Sequence, residues 1–139
     1  MFTKRRLPYD RLREVGHDYH AICCYILQNG GEITGSFVRY TDDRRLKIKD
    51  MEICFSVKEL LPASGDIKAK VIPKTAAKMA RGIHKGSYEG LAAFHEEMDQ
   101  WFNEQGLRRA SAPIWEIYIN SPDDVSEEEL LTEILQPIE

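Results

Sequence analysis

The sequence predicts an α+β fold built from one strand–helix–strand–strand unit used twice. Three observations carry that expectation. Two stretches place apolar residues at steps of three and four, the spacing of a helix face. Short runs rich in aromatic and β-branched residues, set apart by turn signals, supply the strands. Four short motifs then recur in the same order, at an offset that runs from 76 residues (Tyr25 to Trp101) to 81 (Met51 to Thr132).

Each element follows from its own residues. The first helix spans Tyr9 to Asn29, with Tyr9, Leu12, Val15, Tyr19, Ile22, Cys23, Ile26 and Leu27 on one face and Gly30-Gly31 as its stop. Strands are expected at Ile33–Thr41, Met51–Val57, Ile67–Ile72 and Thr75–His84, punctuated by Asp42-Asp43, by Pro62-Ala-Ser-Gly65 and by Pro73. The second helix runs from Ser87, a suitable N-cap, to Gln105, with Gly106 ending it. Its face is Tyr88, Leu91, Phe94, Met98, Trp101 and Phe102. Strands at Ile114–Ile119 and Leu130–Ile138 close the chain, and Ser126-Glu-Glu-Glu129 reads as a helix start or solvated turn before the last of them.

The repeat pairs Tyr9-Asp-Arg-Leu12 with Tyr88-Glu-Gly-Leu91, and Tyr25–Gly30 with Trp101–Gly106. It also pairs Phe37-Val-Arg-Tyr-Thr-Asp42 with Trp115-Glu-Ile-Tyr-Ile-Asn120, and Met51–Val57 with Thr132–Ile138. The chain is expected to form a single domain, 1–139, with halves of about 1–65 and 66–139. The duplication demands a strand before the first helix, where residues 1–8 leave room for about half of one. That strand is therefore expected to be short or missing, and the chain to be the C-terminal part of a longer polypeptide.

Composition narrows the function classes. The 139 residues are 42% hydrophobic and 30% charged, an ordinary globular balance. No apolar run approaches the ~20 residues of a membrane span, and the N-terminus lacks the apolar core of a secretory signal. Nineteen basic against twenty-three acidic residues give a net charge of −4, which argues against a phosphate-tracking surface. The basic clusters Lys4-Arg5-Arg6 and Arg44-Arg45-Leu46-Lys47 read as solvated charge at a terminus and a loop. Cys23, Cys24 and Cys54 make an odd count without metal-binding spacing, so they are expected to be reduced residues of a cytoplasmic protein, and neither metal nor cofactor is expected.

The runs Ile83-His-Lys-Gly-Ser-Tyr-Glu-Gly-Leu91, Trp101-Phe-Asn-Glu-Gln-Gly106, Trp115-Glu-Ile-Tyr118 and Leu131-Thr-Glu-Ile-Leu-Gln-Pro-Ile138, with Met51–Val57 as the first-half counterpart of the last, resemble the GyrI-like effector-binding domain. That domain occurs alone and as the C-terminal domain of MerR- and AraC-type bacterial transcription regulators. The resemblance implies two pseudo-symmetric modules sharing one antiparallel sheet, two long helices on one face, and a ligand groove between the modules. It implies lipophilic, often cationic, aromatic small molecules as partners, DNA contacted only through a separate domain, no membrane, and a possible homodimer. Some stand-alone members resemble hydrolases of cyclopropane-bearing xenobiotics. Ser56 stands where the motif commonly has proline.

The family's acidic groove residue corresponds to Glu116, and its neighbouring tyrosine to Tyr118. Alternation along a strand puts both on one face, away from Trp115, Ile117 and Ile119. A carboxylate in a partly enclosed groove needs a cationic or hydrogen-bonding partner, and a bound organic cation fits, held further by aromatic faces. The expected ligand-binding set is Glu116, Tyr118, Tyr40, Tyr88, Phe55 and Trp101, in which Tyr40 is the repeat equivalent of Tyr118. In the hydrolase alternative Glu116 is the general base on water and Tyr118 the proton donor. Against these stand plainer readings: Glu116 on a solvated face or paired with a Lys or Arg, Trp101 and Phe94 as core, His84 and His95 as turn and surface residues, and Glu52 and Glu133 directed to solvent.

Overall fold

The computed structural model describes residues 1–8, 15–41, 48–72 and 78–139. Outside these lie the expected helix start Tyr9–Leu12 and its match to Tyr88–Leu91, the Asp42-Asp43 turn, the Arg44–Lys47 cluster, the Pro73 turn and the first residues of the strand expected from Thr75. The fold is α+β. Its elements are β1 (Phe2–Pro8), α1 (Val15–Gln28), β2 (Ile33–Tyr40), β3 (Ile48–Val57), β4 (Met79–Lys85), α2 (Leu91–Glu104), β5 (Ile114–Tyr118) and β6 (Leu131–Pro137). Short 3-10 turns at Tyr88–Gly90 and Glu127–Glu129 precede α2 and β6.

The chain forms two compact units, Met1–Lys74 and Thr75–Glu139, and each is a strand–helix–strand–strand module. Within each unit the last strand is central: β3 pairs antiparallel with β1 and β2, and β6 with β4 and β5. The registers also repeat. Val38 faces Ile53 and Tyr40 faces Met51, as Glu116 faces Ile134 and Tyr118 faces Thr132. Both helices end in the same way. Gly30 and Gly106 adopt left-handed φ of 72° and 65°, and the amides of Gly31 and Leu107 bond back to the carbonyls of Ile26 and Phe102 at 2.8 and 3.0 Å, closing the orphan carbonyls of a helix end.

Two expectations are corrected. The first strand is neither short nor missing, since β1 has seven residues, as many as β4. It carries Lys4-Arg5-Arg6 within a strand, with Arg5 3.1 Å from Asp18 and Arg6 3.8 Å from Asp50. The strand expected at Ile67–Ile72 does not form. Only single bridges occur there, Phe2 with Lys68 and Ser64 with Ile67, because the segment turns away to deliver the Lys70 ammonium to Glu52 at 2.6 Å. Residues 66–72 thus lie with the first unit, beyond the expected boundary near 65.

Each unit packs its helix on one face of its strands. In the first unit Ile22 and Ile26 of α1 and Ile53 of β3 are fully buried, and Phe55 meets Tyr19 edge-on at 5.5 Å. In the second, Leu91, His95, Met98 and Phe102 form the buried stripe of α2. The helix seats at Gly82 of β4, where a Cβ would lie 3.0 Å from the Phe94 ring and from Met98 Sδ.

Candidate functional site

Register places the side chains beneath α2 in rows across the second unit. His84, Thr132 and Tyr118 form one row, and Gly82, Ile134 and Glu116 the next. The corresponding rows of the first unit are Arg5, Met51, Tyr40 and then Thr3, Ile53, Val38. Glu116 therefore occupies the position that the first unit fills with Val38, a core residue. Burial of Glu116 is just as complete, at 2% exposure.

A buried carboxylate persists when donors meet its oxygens. His95 Nε2 stands 2.7 Å from Oε1, with both side chains almost wholly enclosed. The Tyr118 hydroxyl donates to Oε2 at 3.1 Å. An ionised carboxylate only accepts, so the facing imidazole nitrogen carries the proton in that state. The Tyr118 ring in turn meets Tyr88 edge-on at 5.4 Å. Tyr88 sits on the 3-10 turn capped by the Ser87 hydroxyl, which accepts from the Glu89 amide at 3.1 Å. It is 38% exposed, and burial of the rest holds its phenol above the ordinary value, hence protonated. The result is a carboxylate with a phenol–imidazole lining on the inside and a tyrosine pair reaching toward solvent.

The expected residues thus divide. Glu116, Tyr118 and Tyr88 come together in the second unit. Tyr40 is buried at 4% and Phe55 packs on Tyr19, both in the first unit beneath α1. Trp101 lies beside the buried stripe of α2, 46% exposed, its ring against Phe102 at 5.6 Å; as core it is misplaced by the sequence reading. His95 is the residue that reading missed. It is not a surface residue, and the signal was present: 91, 95, 98 and 102 is an unbroken helical stripe. His84 is not the turn residue expected: it lies on β4, opposite Thr132, with its Nε2 3.0 Å from the Ser87 carbonyl.

Glu52 and Glu133 are not directed freely to solvent either. Glu52 is buried between Arg39, 2.9 Å away, and Lys70, while Glu133 meets Arg81 at 2.8 Å. A hollow of about 430 Å³ in the first unit, beside Lys4, Arg5, Asp50 and Glu52, holds none of the expected ligand residues. Among the described residues no cluster of three or more His, Cys, Asp or Glu could hold a metal. No described helix is long and apolar enough to cross a membrane.

Comparison with known proteins gives the site a context. A family model described as the GyrI-like small molecule binding domain matches residues 6–139. No curated protein sequence matches. Among solved structures, the crystal structure of the EcmrR C-terminal domain is similar at 26% identity and TM-score 0.75, over 99% of this chain and 90% of that one. EcmrR in the cryo-EM structure of its DNA complex in EcmrR-RPo is similar at 24% identity and TM-score 0.84, over 99% of this chain and 52% of that one. The chain thus spans about half the length of that protein. A hydrolase from Listeria innocua shares the fold at 14% identity and TM-score 0.58, over 99% of this chain and 85% of that one.

Proposed function

The chain belongs to the GyrI-like family of small-molecule-binding domains, and we propose that it is the effector-sensing domain of a cytoplasmic bacterial transcription regulator. Its guests are lipophilic, often cationic aromatic molecules held against Glu116 by Tyr118 and Tyr88. One observation carries the reading: a buried carboxylate stands in an aromatic setting at the register position where the first unit has Val38. A fold that needed only packing would repeat the valine, since burying a carboxylate costs several kcal/mol without partners. A cation lodged there gains the charge, and cation–π contact adds about 0.5–2 kcal/mol per ring.

Likeness to the EcmrR C-terminal domain supports a regulatory role. That EcmrR is seen bound to DNA, with this chain matching about half of it, supports DNA contact through a separate domain. The hydrolase alternative, with Glu116 as general base and Tyr118 as donor, has a likeness of fold behind it and nothing closer.

The test compares a naphthyltrimethylammonium ion with its tert-butylnaphthalene isostere, in which carbon replaces nitrogen. Glu116→Gln is expected to weaken the cation at least about tenfold, or ~1.4 kcal/mol, and to leave the neutral probe unchanged. Unchanged affinity for both would remove Glu116 from the binding role.

A further inference from the structure

A carboxylate waiting for a cation needs no cation of its own, yet Glu116 already has one within reach. His95 Nε2 lies 2.7 Å from Oε1, and the two side chains are 5% and 3% exposed. The fold does not require this pair. Aligning the helix ends at Gly30 and Gly106 and the buried pairs Ile22 with Met98 and Ile26 with Phe102, the first unit places Tyr19 at the His95 position, beneath which Val38 replaces Glu116. The second unit alone carries an acid and an imidazole at these two matched positions.

We infer that the His95–Glu116 pair holds one exchangeable proton that a cationic guest must displace, so that His95 sets which guest charge the site accepts at a given pH. The inference rests on the reading of Glu116 as the guest's counter-ion. With imidazolium beside carboxylate the pair is neutral and offers a cation nothing. A cation entering then would put two positive charges around one carboxylate in a poorly solvated site, where like-charge repulsion is strong. Of the two, the proton is free to leave. Imidazolium gives one proton to water, the ring stays as a neutral donor to Oε1, and the net charge of the complex is unchanged. A neutral guest moves no proton.

Among the described residues, register and ring contacts bring further titratable groups to this part of α2. β5 presents Glu116 and Tyr118, β4 presents His84, and the turn before the helix presents Tyr88; β6 offers Thr132, Ile134 and Gln136, none of which ionises in water. On α2 itself Glu96 and Glu97 directly follow His95 in sequence, and one turn on Asp99 is paired with Arg109. His84 has its Nε2 on the Ser87 carbonyl and its ring 5.3 Å from that of Phe94. Histidine is the side chain type that changes charge between about pH 5 and 8.

The experiment measures the naphthyltrimethylammonium ion, whose charge is fixed, and its tert-butylnaphthalene isostere from about pH 5 to 8. In the wild type the cation's Kd is expected to rise as pH falls across this range, by up to about tenfold per unit, while the neutral probe's stays level. His95→Gln keeps a donor N–H but has no proton to exchange, and its cation affinity is expected to be level across the same range. Calorimetry in two buffers of different ionisation enthalpy is expected to count up to about one proton released per cation by the wild type at the acid end of this range. A level cation profile in the wild type, or the same slope in His95→Gln, overturns the inference. If His95→Gln does not fold, the wild-type proton count decides, and a count of zero overturns it. Failure of the underlying reading is distinguishable: Glu116→Gln would then bind the cation as tightly as the wild type at every pH.

Discussion

Glu116 is tolerated in the interior because each of its oxygens meets a donor, His95 at 2.7 Å and Tyr118 at 3.1 Å. Removing one member of a buried pair leaves the other desolvated and uncompensated. His95→Ala is therefore expected to lower unfolding free energy by about 3 kcal/mol in urea denaturation. The double variant Glu116→Val/His95→Tyr, which copies Val38 and Tyr19, is expected to recover most of the loss. A double variant no more stable than His95→Ala would show that the pair is not what offsets the carboxylate. At this scale the sequence was half legible. A glutamate between Trp115 and Ile117 announces itself. The stripe at 91, 95, 98 and 102 signalled that His95 is inward, but not what it meets. Only the across-fold partner decides, and that partner lies twenty-one residues away.

The face of β3 turned away from α1 shows how an element carries polar residues inward. Phe2, Phe37, Arg39, Glu52 and Cys54 share it by register, Lys70 stands over the Phe2 ring at 4.6 Å, and Glu52 is clasped from two sides. Alternation made Glu52 look solvent-bound; the segment Ile67–Ile72, read as a strand, instead brings Lys70 onto it. Cys54 is enclosed in the same layer, and burial first, then the Glu52 charge, pushes its thiol from 9.0 up to about 12. A raised thiol value means the folded state favours the neutral form. That stability is complete below pH 9, where both states hold the proton, and is lost as pH rises toward 12. Between pH 8 and about 10.5 the wild type is expected to lose ~1–2 kcal/mol more than Cys54→Ala, read from urea midpoints. Equal losses in the two proteins would contradict the thiol's enclosure.

For the whole molecule the duplication was the most legible feature, since motif offsets of 76 to 81 residues reappear as equivalent registers in the two units. The length of β1 was misjudged, because the counterpart expected at Thr75–His84 made residues 1–8 look too short, whereas β1 and β4 both run seven residues. What distinguishes the units is chemistry at matched positions. Transplanting that chemistry without its partner should fail: Val38→Glu would set a carboxylate under α1, where the His95 position holds Tyr19. It is expected to destabilise the protein by about 3–5 kcal/mol, measured by urea or thermal unfolding. A loss below ~1 kcal/mol would mean that the first unit accommodates buried charge as readily as the second.

The central claim, that Glu116 is the anchor for a cationic guest, is tested most directly by a crystal structure with the naphthyltrimethylammonium ion bound. The account places the ammonium group against the Glu116 carboxylate and within ~6 Å of the Tyr118 or Tyr88 ring centroid. A guest seated elsewhere, with Glu116 still enclosed by His95 and Tyr118 alone, would contradict it.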